Sequence, residues 1–277
     1  MSTRPEPAQH AGMRASNLAL VLGDVAAAGP VTRARVAEHT GLTKSSVSGL
    51  VGDLMAGGLV TESAPTAVER GRPASALSLA PDGAAGLGLE LNVDYLAATV
   101  TDLTGAPRYH HVVRTDNRDR DPADVVADLL ELAGSAQSSA GAQGLPLAGA
   151  CVAVPGTVDG GTVVRAPNLG WRGVDLAGPL GQALGVAVTM ENEANLAALG
   201  EMWCGGHDGL HDFVHVSGEI GIGGGIVVGG ELFRGSHSRA GELGHVVVAP
   251  DGPLCSCGGH GCLERMAGEQ AILARAE

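Results

Sequence analysis

The chain has 277 residues, of which 44% are hydrophobic and 2% aromatic, and it carries a formal net charge of -13. Such a length holds two or three folded units, the scarcity of aromatics makes any core aliphatic, and the acidic balance excludes a general nucleic-acid binder. The charge is uneven: residues 1–80 hold seven Arg or Lys and six Asp or Glu (net +1), whereas residues 81–277 hold ten and twenty-four (net -14), so any DNA contact falls to the first part, where the only lysine, Lys44, lies.

Residues 1–15 show neither helical periodicity nor the apolar run of a signal peptide, and are expected to form a disordered arm. No uncharged apolar stretch of about 18 residues occurs, so no membrane span is expected. From Ser16 to Ala28, Leu18, Val21, Leu22 and Val25 recur at helical spacing, with Ser16 as candidate N-cap and Gly29-Pro30 as stop. Thr32 caps a short predicted helix, Arg33 to His39. Gly41 makes a turn, and Thr43 caps a third helix, Lys44 to Ala56, with Val47, Leu50, Val51 and Leu54 inward. Two helices joined by a short Gly-containing turn are a helix-turn-helix pattern. Thr43, Lys44, Ser45, Ser46 and Ser48 at the start of the third helix offer hydroxyls and one cation to phosphates and base edges; a solvated polar face is the alternative. Strands near Leu59 to Glu62 and Leu77 to Leu79 are expected to form a winged hairpin, completing a winged helix-turn-helix DNA-binding domain over residues 16–80. Its tip carries Arg70 and Arg72, suited to a minor groove or a phosphate.

Residues 81–86 are expected to be a linker, and 87–277 a second domain. Strands are predicted at Leu87 to Leu91, Tyr95 to Thr101 and Pro107 to Arg114, then a helix at Asp121 to Ser138 and a buried strand at Ala148 to Val154. Val163 to Asn168 leads into a loop through Trp171. A helix (Leu176 to Leu184), a strand (Val186 to Met190) and a helix (Ala194 to Glu201) follow. This order is that of a ribonuclease-H-like, actin-like half, and the fold class is therefore α/β. A second half begins near Phe213, with a strand at Gly225 to Val228 and a helix starting at Glu264 or soon after.

The densest chemistry lies between Gly241 and Glu264. His245, Cys255, Cys257 and Cys262 form a nitrogen-plus-thiolate set suited to a closed tetrahedral zinc site. His260 is a rival nitrogen ligand, and unrelated free thiols are the bland alternative. Zinc is the expected cofactor, and reduced cysteines at metal spacing fit a cytoplasmic protein.

Glu242 to Glu264 resembles the signature of the ROK family of sugar kinases and sugar-responsive repressors, and the resemblance runs from about Ser16 to the end. It implies that Asn168, Asn192, Glu193, Glu242, His245 and Glu264 bind sugar. It also implies an actin-like sugar kinase fold behind the winged head, with the second lobe incomplete at Glu277. Kinases of the family read Glu-Asn-Asp where this chain has Glu191-Asn192-Glu193. Their first phosphate loop, Asp-x-Gly-Gly-Thr, is replaced by Glu90-Leu91-Asn92-Val93-Asp94, and the second, Gly-Thr-Gly, by Glu219-Ile220-Gly221. Loss of glycine and gain of carboxylate both disfavour a polyanion. The Gly221 to Gly225 run is expected to be a packing or hinge turn. The resemblance thus points to a non-enzymatic regulator, a repressor with no catalytic residue, binding operator DNA and a small sugar or sugar phosphate as a homodimer or higher homo-oligomer. An active ATP-dependent kinase with a DNA-binding head is the rival, and a zinc-stabilised interaction module without ligand is a third reading.

Overall fold

Helix α1 (Pro7–Ala28), α2 (Arg33–Thr40), α3 (Lys44–Ala56) and the strands β1 (Val60–Glu62) and β2 (Leu77–Leu79) form the head in the computed structural model, which describes residues 7–64, 75–206, 209–218, 221–236 and 239–276. Caps set two of these helices. Thr32 accepts the Arg35 N–H at 3.4 Å and Thr43 the Ser46 N–H at 3.1 Å, each such cap contributing about 1 kcal/mol. Gly41, at φ 71°, makes the left-handed turn between α2 and α3. Val21, Val25, Val36, Val47, Leu50, Val51, Leu54, Val60 and Leu77 close one aliphatic core. β1 and β2 pair antiparallel, Val60 opposite Leu79, and Arg33 on α2 is held 2.8 Å from Glu62 on the wing. Arg70 and Arg72 lie outside the described residues.

Two expectations change in this region. The first helix starts at Pro7, so residues 7–15, read as an arm, are helical. Proline fits the first helical turn, and the short polar and Ala residues after it favour helix even without an apolar stripe. Ser16 does not cap: its hydroxyl donates to the Gly12 carbonyl at 3.0 Å from within the helix. The linker at 81–86 also gives way, because β3 (Ala85–Leu91) begins inside it and the Ala85 N–H donates to Pro146 O at 2.9 Å.

After β3 come β4 (Tyr95–Asp102), β5 (Pro107–Arg114), α4 (Pro122–Ala142), β6 (Leu147–Val154), β7 (Thr157–Asp159), β8 (Thr162–Ala166), β9 (Trp171–Asp175), α5 (Ala177–Leu184), β10 (Val188–Asn192), α6 (Glu193–Cys204), β11 (Phe213–Gly218), β12 (Ile222–Val228), β13 (Glu231–Leu232), α7 (Leu263–Ala267) and α8 (Glu269–Ala276). One sheet has the order β10-β6-β3-β4-β5, with β10 parallel to β6 from Val188 opposite Ala150 to Asn192 opposite Val154. Its core is Val, Leu and Ala: Leu87, Leu89 and Leu91 of β3 are buried, as are Val125, Leu129 and Ala136 of α4. Trp171 is the buried aromatic residue among the described residues.

The loop expected between Asn168 and Trp171 is a 3-10 turn, Pro167–Leu169, and Gly170, and it joins β8 to β9 of a three-stranded sheet, β7-β8-β9. The glycine run expected as a turn is β12 itself, in the sheet β11-β12-β13. Gly225 has no room for a side chain: a Cβ there would lie 2.5 Å from the Ala198 Cβ and 2.6 Å from the Ala194 carbonyl of α6. Glycine is needed to let the strand touch the helix.

The chain divides into two compact units. One comprises Met1–Gly86, Val100–Arg108 and Ser139–Ala148; the other comprises Leu87–Thr99, Tyr109–Ser138 and Gly149–Glu277. In the first, Arg108 pairs with Asp82 at 2.9 Å and with Asp102 at 3.0 Å. In the second lie the polar cleft and the cysteine loop.

Candidate functional site

The cysteine loop is folded by its own backbone. Gly261 donates to Pro253 O at 2.9 Å and accepts the N–H groups of Val248 and Ala249, while Cys255 N donates to Gly259 O at 2.8 Å. Gly261 sits at φ 64°, and a Cβ there would fall 1.5 Å from the Ala249 carbonyl, so only glycine lets the two arms cross. This crossing brings Cys255 and Cys262, both buried, beside Cys257 and His245. The four ligand atoms lie within 4.8 Å of one another. His245 Nδ1 is 3.6 Å from Cys255 Sγ, and Cys257 Sγ is 3.6 Å from Cys262 Sγ. Ligands about 2.0–2.3 Å from a tetrahedral ion stand roughly 3.5–3.8 Å apart, so the spacing fits one metal ion. His260 is elsewhere, its Nδ1 3.3 Å from the Gly252 carbonyl, which removes it as a rival ligand.

The Cys257 and Cys262 thiols of the cluster are perturbed by burial and by the groups around them. Burial, reinforced by the Cys257 and Cys255 sulfurs, pushes the Cys262 thiol up to about 12. The Gly259 N–H, 3.4 Å from Cys257 Sγ, holds that thiol below its ordinary value. Three thiolates packed this closely repel one another, and a divalent ion at their centre reverses the sign of that interaction.

Against this loop lies a cleft of about 740 Å³, within the usual range for small-molecule sites. Asn168, Asn192, Glu193, Glu242, His245 and Glu264 all line it. Each arrives by a different element. The 3-10 turn after β8 presents Asn168, which is exposed. The parallel β6–β10 pair delivers Asn192 and Glu193 at the carboxyl end of β10, where ligands of open α/β sheets collect. A second 3-10 turn, Leu243–His245, turns Glu242 toward His245, whose Nε2 is 3.7 Å from Glu242 Oε2. Glu264, in the first turn of α7, accepts the Ile222 N–H at 3.3 Å.

Asn192 is partly committed already. Its Oδ1 caps α6 by accepting from Ala194 N at 2.9 Å and Asn195 N at 3.3 Å, and its Nδ2 donates to Gly156 O at 3.1 Å. One amide N–H remains for a ligand. Several groups at the site have no sequence signal of their own. Buried Glu191 accepts from Asn195 Nδ2 at 2.9 Å and from Arg234 Nε at 2.7 Å, which clamps the end of β10. Arg165, Arg172 and Arg239 also line the cleft. The cross-strand register of β8 and β9 that places the first two becomes visible only once the small sheet is recognised.

Where a first phosphate loop would lie, two of the backbone donors are used. Asn92 N donates to Tyr95 O at 3.0 Å, and Val93 N donates to Asn92 Oδ1 at 2.6 Å. Asn92 and Val93 are buried, and Asn117 Nδ2 closes the turn onto Asn92 O at 2.7 Å. Tyr95 OH donates to Glu90, whose carboxylate lines the cleft. Glu219 and Ile220 lie outside the described residues.

In the head, Thr43, Lys44, Ser45, Ser46 and Ser48 are all exposed at the start of α3, opposite its buried Val47, Leu50, Val51 and Leu54. Thr43 Oγ1 lies 3.0 Å from Ser45 Oγ and 2.9 Å from Ser46 Oγ, so three of the hydroxyls form one local cluster.

Residues 86–277 match the ROK family and residues 19–71 match the MarR family. The chain belongs to the ROK family and carries a MarR-type winged helix-turn-helix at its N-terminal end. It is 34% identical over 189 residues to the xylose repressor of Caldicellulosiruptor bescii, covering 68% of this chain and 47% of that protein. A crystal structure of a ROK family transcriptional regulator, a homologue of the E. coli MLC protein, superposes with TM-score 0.80 at 28% identity, over 95% of this chain and 67% of the other. A ROK family glucokinase from Streptomyces griseus, solved with glucose and AMPPNP, superposes with TM-score 0.62 at 32% identity over 69% of this chain and 60% of the other. The chain spans about half the length of the curated relatives it matches.

Proposed function

We propose that the protein is a sugar-responsive transcriptional repressor. The head binds operator DNA, and the cleft of the body holds a small sugar or sugar phosphate that changes DNA affinity. The observation that carries this reading is the pairing, in one chain, of a capped α3 with an exposed polar start and a cleft lined by six polar side chains, Asn168, Asn192, Glu193, Glu242, His245 and Glu264. Carboxylates and amides in that arrangement take vicinal hydroxyls by paired hydrogen bonds. Similarity to the xylose repressors and to the MLC-homologous regulator supports it.

Zinc is the metal we assign to His245, Cys255, Cys257 and Cys262, from the donor set and its spacing. Bound there, it would act structurally, fixing the cysteine loop and orienting His245. His245 then presents its other ring nitrogen to Glu242 at the cleft wall. As operators for such heads come in paired half-sites, the protein acts as a homodimer or higher homo-oligomer.

Phosphoryl transfer is not part of the proposed function, because the N–H groups of Asn92 and Val93 already have acceptors. The glucokinase similarity supports the rival reading, and Glu193 at the start of α6 keeps a carboxylate where the rival needs a base. Footprinting of the full chain on the DNA upstream of its own gene tests the proposal. Protection of a paired, roughly symmetric site is expected, and binding without sequence preference contradicts it.

A further inference from the structure

The cleft holds a second chemistry that the hydroxyl-binding set does not use. Arg165 on β8 and Arg172 on β9 are direct cross-strand partners, and both line the cleft. Like charges directly opposite one another in an antiparallel pair are destabilising. Of the other arginines in residues 81–277, Arg108, Arg118, Arg120 and Arg234 each sit within 3.0 Å of a carboxylate, whereas Arg114 stacks 5.6 Å over the Tyr95 ring and Arg265 bonds the Gln270 side chain. Among the described residues, Arg165, Arg172 and Arg239 have no carboxylate partner, and the hydrogen bond that Arg165 makes goes to a neutral acceptor, the Ser256 carbonyl, at 3.2 Å. Three guanidinium groups without a carboxylate partner therefore share one concave site with four carboxylates, Glu90, Glu193, Glu242 and Glu264, in a part of the chain whose net charge is strongly negative.

We propose that the effector is an anionic sugar, one bearing a phosphate or a carboxylate, with Arg165 and Arg172 gripping the anion while Asn168, Glu242 and Glu264 take hydroxyls. This rests on the reading of the cleft as an effector site and narrows it. The planar guanidinium fork meets either group in a bidentate manner. An anion between the two arginines turns the repulsion across the β8–β9 pair into attraction. The acidic body repels anions in general, so selection is made locally, at these side chains. Arg165 also connects the anion to the metal loop, because Ser256 lies between Cys255 and Cys257.

The test is calorimetric titration of the full chain with glucose, mannose, galactose and xylose, each beside its terminal phosphate and its sugar acid. At least one anionic member is expected to bind tenfold or more tightly than its neutral parent, and the better of phosphate and acid names the group. In the Arg165→Gln/Arg172→Gln double variant that ratio is expected to fall toward one. Arg172 is exposed, so Arg172→Glu provides a second variant that keeps the fold, checked by its ligand-free melting, and it should reverse the preference. Neutral parents binding as tightly as their anionic forms would overturn the anion proposal and leave the effector site standing. Binding by no member of the panel would overturn both.

Discussion

His245 Nδ1 stands 3.6 Å from Cys255 Sγ, and the opposite edge of the same ring faces Glu242 across 3.7 Å. One imidazole thus belongs to the His–Cys cluster and to the cleft wall. Damage to the metal loop should therefore be felt by the ligand. Cys257→Ser removes one thiolate of the four; it is expected to lower zinc content in reduced protein and to weaken effector binding together. Metal binding must displace thiol protons, so zinc retention should also fall as pH is lowered. Elemental analysis beside thermal shift checks this, and freshly purified reduced protein without zinc would refute the assignment.

Kinase activity is expected to be absent, and Glu193→Asp is not expected to create it. Shortening the side chain restores the residue that family kinases carry but leaves the N–H groups of Asn92 and Val93 bonded within their own turn. A coupled assay for ADP release with the sugar panel reads the outcome. Robust turnover by the unaltered protein would return the rival reading.

DNA affinity should depend on few cations, because the head is close to neutral. Lys44→Ala is expected to weaken operator binding. If Arg72 holds a phosphate, Arg72→Ala should reduce the slope of log affinity against log salt by about one. Anisotropy titrations at several salt concentrations measure both, and an unchanged slope would place Arg72 off the backbone.

Gly225→Ala should destabilise the body. Its Cβ would meet the Ala198 Cβ at 2.5 Å, backed by the α6 backbone, and overpacking of this kind costs about 1–3 kcal/mol. A melting temperature lowered by several degrees is expected; no change would mean that β12 and α6 can separate without loss.

Local chemistry explains which features could be read from sequence. α3 was readable to the residue because Thr43 caps it and Gly57 ends it. The cluster of His245, Cys255, Cys257 and Cys262 is readable because its spacing falls within one loop. α1 was read too short because residues 7–15 carry helix propensity without an apolar stripe, and periodicity reports only the stripe. Strands β7 and β9 leave no mark in the sequence pattern because they are short, joined by tight turns and only partly buried. The Glu191–Arg234 clamp joins residues 43 apart and depends on the fold to meet. Asn192 shows a further limit: an amide at a strand-to-helix junction serves a cap and a cleft at once, and the sequence does not apportion it.

Coupling between the two ends of the chain is the central claim, since a ligand moves a two-state equilibrium only by its differential affinity for the two states. The direct measurement is a titration of the full chain on its own upstream DNA, with and without the sugar that raises its melting temperature. Operator affinity is expected to change by about 5–150-fold, the usual range of allosteric coupling. Sequence-specific binding that the sugar leaves unchanged would contradict the coupling, and no specific binding in either condition would contradict the repressor itself.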